Sequence, residues 1–241
     1  MARKLGYEAD ASLFKSKSDT LKNLIDTFLW DNEARFYKVI PRNGEMNLSP
    51  VREEHGYVPW IYDIPEKDKS DAWLQLMDPE GFKAPYGPTT AEQRAKGFKV
   101  IYEGHECQWN GPSWPFATAQ TLTGLARTLH RFGEGVITKA DFFETLQIYS
   151  NSHRLTRDDG KTVCWIDENL DPYTGEWLLR KINISRGTPC PEQLALSLPM
   201  LDLINSETTD FKCEGGFDIR NYGVVEGIRR PVEDEHRGIR C

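Results

Sequence analysis

Four stretches of this chain carry apolar residues at helical spacing, and the connections between them are long and rich in glycine, proline and aromatic residues. That division restricts the fold to a helical frame displaying its chemistry on loops. Ala11 to Trp30 reads as the first helix, with Leu21, Leu24, Ile25, Phe28 and Leu29 on one face and Asp10 placed to cap it. A shorter helix is predicted from about Pro65 to Met77, carrying Trp73, Leu74 and Met77, and the turn Asp78-Pro79-Glu80-Gly81 should stop it. From Thr118 to Phe132 the residues Leu122, Leu125, Ala126 and Leu129 make an amphipathic face, and Gly133 stands where a C-cap glycine belongs. Thr138 and Asp141 then open a helix through Phe142, Phe143, Leu146 and Tyr149 with a capping-box pattern.

The three long connections are Pro41 to Tyr62, Gly81 to Trp114 and Thr156 to Trp177. At the end of the second, the run Glu106 to Phe116 sets Trp109, Trp114 and the carboxamide of Asn110 among chain-bending glycine and proline. A pyranose ring offers an apolar face of C–H bonds and a rim of hydroxyls, so aromatic platforms beside planar hydrogen-bonding groups suit it. The third connection, Trp165 to Trp177, crowds Asp167, Glu168 and Asp171 between aromatics ahead of a Pro/Gly turn. Repulsion among such carboxylates raises one pKa toward neutrality, which suits a general base. Together the two runs read as a carbohydrate-active site.

Other residues divide between structure and site. Trp60, after Tyr57 and Pro59, is balanced between packing and lining the site. Tyr173 and Trp177 either wall the pocket beside Glu168 or pack the Pro172 turn. Asp63 reads as a solvated loop acid, and Glu92 as a capping-box partner of Thr89.

Composition excludes several classes. The 241 residues leave one or two domains open, and the net charge of −7 argues against nucleic acid or an anionic membrane as partner. No apolar run approaches the roughly 20 residues that cross a bilayer, and the first residues lack the apolar core of a secretory signal, so the chain is expected to be soluble and cytoplasmic. The five cysteines form no C-x-x-C pair and read as reduced thiols. His55, His105 and Glu106 lack metal-ligand spacing, and no P-loop, G-x-G-x-x-G or G-x-S-x-G element occurs, so neither metal nor cofactor is expected.

Four ordered motifs carry a family resemblance: Gly56 to Trp60 (GYVPW), Gly87 to Glu92 (GPTTAE), Trp109 to Pro115 (WNGPSWP) and Glu168 to Glu176 (ENLDPYTGE). The sequence resembles the C-terminal half of the mannosylglycerate hydrolase-like and glucosidase-I-like glycoside hydrolases, and Leu29-Trp30-Asp31 followed by Arg35-Phe36-Tyr37 is similar to a helix end repeated in that group. Trehalases of the same clan have a similar element at Gln108 to Trp114. The resemblance implies an all-α fold, a partial (α/α)6 toroid of the six-hairpin glycosidase type with long aromatic-rich loops. It covers residues 1–180, leaving 181–241 as a divergent tail that reads as poorly ordered.

The resemblance also implies an inverting hydrolase acting on a carbohydrate substrate, with Glu168 as general base; Trp60, Trp109, Asn110, Trp114 and Tyr173 are the expected substrate-binding residues. The family's general acid is an aspartate so far upstream of the base that it would precede Met1. A toroid of this kind has about twelve helices, of which this chain supplies about half. The alternative expectation is therefore a catalytically inactive carbohydrate-binding remnant.

Overall fold

The computed structural model describes residues 2–42, 45–101 and 109–178. His105, Glu106 and Gln108, every cysteine except Cys164, and the tail 181–241 lie outside the described residues.

Helix α1 spans Glu8–Phe28. It starts before the predicted cap: Tyr7 is the N-cap, without a side-chain cap bond, and Asp10 sits with Glu8 in the first turn, where a negative charge favours the helix dipole. None of its residues is buried. Ile25 packs against the core, whereas Leu13, Phe14, Leu21, Leu24 and Phe28 are exposed.

The helix does not run on to Trp30. Instead strands β1 (Trp30–Asp31) and β2 (Phe36–Tyr37) form an antiparallel hairpin, with Trp30 opposite Tyr37. Asp31 causes the reversal, because its Oδ1 accepts the backbone N–H groups of Glu33 and Ala34 and replaces helical hydrogen bonds with an Asx turn. Arg35, at φ 51°, completes the turn.

A 3-10 turn, Glu54–Tyr57, leads into α2 (Val58–Ile61), and a second, Lys67–Trp73, leads into α3 (Leu74–Met77). The predicted helix from Pro65 is thus mostly of the tighter kind. It stops as foreseen at Asp78, whose Oδ1 accepts the N–H of Glu80 and whose carbonyl accepts that of Gly81.

Helix α4 (Pro115–Phe132) begins at a proline, which lacks the N–H that the first turn leaves unbonded. It ends at Gly133, at φ 74°, whose N–H donates to the Leu129 carbonyl. Helix α5 (Lys139–Ser152) carries the complete capping box of Thr138 and Asp141. A second hairpin follows, β3 (Arg154–Thr156) against β4 (Thr162–Cys164). Cys164 is disulfide-bonded, which departs from the expectation of reduced thiols.

Tyr57 stands at the centre of the core. Its ring stacks on Trp73 with centroids 4.4 Å apart, while Phe36 and Phe82 meet it edge-on. Helix α4 approaches through Gly124, where a Cβ would lie 3.1 Å from the Tyr57 carbonyl oxygen and 3.2 Å from Trp60 Cβ. Asp63 is an exposed loop acid, as read from the sequence, and it is also paired. It sits at φ 55° and accepts from the Arg127 guanidinium, which holds its carboxyl below the usual range and ties the end of α2 to α4. The described residues are therefore mostly helical, with two short hairpins, compatible with part of an α/α toroid. Among them, no helix is long and apolar enough to cross a membrane.

Candidate active site

Four loop segments are laced together by main-chain bonds. Glu53 pairs with Ala91 in an antiparallel bridge, and the Glu54 N–H donates to the Thr90 carbonyl at 2.8 Å. Thr90, fully enclosed, reaches the next segment: its Oγ1 donates to the Pro112 carbonyl at 3.0 Å and accepts the Gly111 N–H at 3.1 Å. Ser113 then exchanges both backbone hydrogen bonds with Leu170, at 3.0 and 2.9 Å. In such a pair the Cα atoms stand about 5.5 Å apart. Glu168 is two residues from Leu170 and Trp114 is one from Ser113, so the carboxylate loop and the tryptophan loop adjoin.

The aromatic residues form a stack. Trp109 lies over Trp114 with ring centroids 4.1 Å apart and planes at 24°, and the imidazole of His55 lies against Trp109 at 4.7 Å and 32°. Trp114 is the buried floor at 4% exposure, Trp109 is half-buried, and His55 is exposed. Asn110 is half-buried, and its Nδ2 donates to the carbonyl of the exposed Gly97 at 2.8 Å. That bond leaves Oδ1 and the second N–H for other partners.

The carboxylates have separate surroundings. Asp167 Oδ1 accepts the Glu168 N–H at 2.8 Å, and Glu168 is half-buried. Asp171 is the turn acid, its Oδ1 accepting from the N–H groups of Tyr173 and Thr174. Gly175, at φ 74°, lies so close to the Tyr86 ring that a Cβ would meet it at 2.5 Å, and the Tyr86 N–H donates to the Pro172 carbonyl. Tyr173 is 45% exposed and its hydroxyl donates to Gln93 Oε1 at 2.6 Å. Trp177 has a structural place, but with other partners than the Pro172 turn: it packs with Ile166 and Leu170 and donates its indole N–H to the Arg154 carbonyl.

Trp60 stands apart from the stack. It is 2% exposed, with its ring edge-on to Tyr37 and Trp73, so the fold places it in the core. Glu92 is also structural, though not as a helix cap. Its carboxylate takes the guanidinium of Arg52 at 2.7 Å and the Arg52 backbone N–H, while Thr89 Oγ1 donates to the Ala91 carbonyl.

Three residues at the site are not site residues in the sequence reading: Glu54, which no motif includes, His55, weighed there only as a metal ligand, and Thr90, which stands there only within the GPTTAE motif. Glu54 is fully buried, its Oε1 accepting from Thr121 Oγ1 of α4 at 3.0 Å, and burial pushes its carboxyl well above the usual range. His55 is pushed the other way, its imidazolium disfavoured by the desolvation of the ring face packed on Trp109, although the residue as a whole stays exposed. Among the described residues no group of three or more histidine, cysteine, aspartate or glutamate side chains is placed to hold a metal ion.

The chain is similar to several proteins of known structure. A protein named sialidase is 36% identical over 73% of this chain and 16% of its own length, with a TM-score of 0.64. A GH63 mannosylglycerate hydrolase from Thermus thermophilus, solved with glucose, is 18% identical over 73% of this chain and 36% of its own, at a TM-score of 0.48. An uncharacterized conserved protein from the same organism is 20% identical over 61% of this chain and 32% of its own, at a TM-score of 0.46. No curated protein matches the chain. The chain thus spans about a sixth of the sialidase and about a third of the two Thermus proteins. Residues 1–184 match the family described as mannosylglycerate hydrolase MGH1-like glycoside hydrolase domain, and with its helical frame and laced aromatic loops the chain belongs to that family.

Proposed function

We propose that residues 1–180 are the base-bearing portion of an (α/α)6 domain that hydrolyses an α-linked glucoside or mannoside with inversion. Glu168 acts as general base, taking a proton from the water that attacks the anomeric carbon while an acid outside these residues protonates the leaving oxygen. Trp109, supported from below by the buried Trp114, supplies the aromatic surface beside which the sugar lies, Asn110 uses its remaining amide groups on the hydroxyls, and Tyr173 borders the site from the Glu168 loop. Trp60 acts through the core that supports the 53–57 segment rather than by contact.

The observation that carries this reading is the paired hydrogen bonds of Ser113 and Leu170, which join the loop of Glu168 to the loop of the two tryptophans. A general base must stand near the sugar whose water it activates, and these two bonds keep the two loops side by side.

The test is hydrolysis of aryl α-glucosides and α-mannosides by the longest natural protein that contains this chain, with Glu168→Gln beside it. Loss of at least ~1000-fold in kcat at unchanged Tm is expected for the variant, and proton NMR of the first product should read the inverted anomer. Retention, or activity that survives in Glu168→Gln, refutes the assignment. The stack of Trp109 on Trp114 would grip a sugar without any acid, and so it also favours a second reading, an inactive carbohydrate-binding remnant. Saturable sugar binding without turnover by that protein selects it.

A further inference from the structure

We infer that His55 is a specificity-determining residue of this site, contacting a hydroxyl of the bound sugar through the edge of its ring; the inference rests on the carbohydrate reading above.

The segment that bears it is fixed at both ends. Glu54 points inward, sealed against α4 by Thr121, while its N–H donates to Thr90. Gly56 is equally confined, since a Cβ there would meet the Tyr37 carbonyl oxygen at 2.4 Å. His55, between these two inward anchors, is the residue that turns outward, and its ring lands on Trp109 at 4.7 Å.

An exposed imidazole needs no aromatic partner for solubility, and stacking it costs rotamer freedom. The consequence is a three-ring array of Trp114, Trp109 and His55 in which only the outermost ring carries polar atoms on both sides of its edge. Neutral imidazole offers one N–H donor and one acceptor nitrogen, the pair that a sugar hydroxyl can both accept from and donate to. Indole has a single donor and no acceptor, so neither tryptophan can supply this contact. With Trp114 and His55 stacked on Trp109, a ligand lying along the array meets the ring edges, and the edge that offers both a donor and an acceptor is that of His55.

The test titrates the full 241-residue chain with methyl α-D-glucopyranoside and methyl α-D-mannopyranoside, following indole N–H cross-peaks by NMR. A saturable shift of Trp109 is expected in the wild type, lost in Trp109→Ala. His55→Phe keeps a stacked ring without the polar edge, and should weaken binding by about three- to tenfold and change the glucoside/mannoside preference. Thermal unfolding of His55→Phe should match the wild type, because an exposed ring is exchanged for a ring. If Trp109→Ala abolishes binding while His55→Phe binds both glycosides as the wild type does, the inference about His55 falls and the carbohydrate reading stands. If the wild-type chain gives no saturable shift, both fall.

Discussion

Gly111 lies so close to Lys99 that a Cβ built on it would meet the Lys99 carbonyl oxygen at 2.1 Å. The atom in the way is backbone, so it cannot swing aside as a side-chain tip would. Gly111 also donates its N–H to Thr90, inside the lacing that holds the tryptophan loop. Gly111→Ala is therefore expected to destabilise the chain by about 1–3 kcal/mol and to weaken the near-ultraviolet dichroism of the Trp109–Trp114 stack. Urea unfolding and the dichroism spectrum read the two effects. A wild-type spectrum with an unchanged midpoint would contradict the close approach.

Local signals were the ones legible in the sequence. Thr138 with Asp141, and Gly133 after α4, are readable because a cap is decided by residues three or four positions apart. The β1–β2 hairpin was not readable, since two-residue strands are too short for alternation to register. Its one cue was Asp31, whose carboxylate turns the chain. Trp60 was ambiguous for a related reason: it sits in the same Gly/Pro/aromatic texture as Trp109 and Trp114, and only the packing of Tyr37 and Trp73 around it separates core from site. The pairing of Ser113 with Leu170 joins two distant loops through backbone atoms, which carry no side-chain signature at all.

Helix α1 should respond to substitution differently on two sides. Ile25 packs on the core, whereas Leu21 is 58% exposed and Leu24 47%. Leu21→Lys is expected to change stability by no more than about 0.5 kcal/mol, while Ile25→Ala loses about 1–2 kcal/mol. Chemical denaturation of the two variants checks the contrast. A large loss in Leu21→Lys would mean that the apolar face of α1 is covered in solution.

His153 predicts an acid-side loss of stability. Burial depresses its pKa to about 4, even though its Nδ1 bonds to the Tyr149 carbonyl, and its Nε2 is enclosed without a hydrogen-bond partner among the described residues. Between the ordinary value of about 6.5 and about 4, the unfolded chain holds a proton on this residue that the folded chain does not. Stability attributable to His153 is therefore full above about pH 6.5 and declines as pH falls toward 4, by at most about 1.4 kcal/mol per unit. His153→Asn keeps an N–H donor near Tyr149 without the titration. The stability difference between wild type and variant should shrink across that window, and a pH-independent difference would show that His153 is not buried neutral.

Glu54 predicts the opposite slope, on the alkaline side. Its carboxyl is buried beneath the His55 segment, with Oε1 bonded to Thr121 and Oε2 without a hydrogen-bond partner among the described residues, and desolvation raises its pKa well above 4.5. Above about pH 4.5 the unfolded chain ionises this group while the folded chain keeps it protonated, so folding grows less favourable as pH rises toward the folded pKa. Glu54→Gln preserves the acceptor for Thr121, fits nearly the same volume and removes the ionisation. The variant is expected to be more stable than the wild type at pH 8, by a margin that narrows steadily as pH is lowered to 5. Its Tm measured across that range decides the matter, because a carboxylate that were ionised and well solvated in the folded chain would give no such pH-dependent gain.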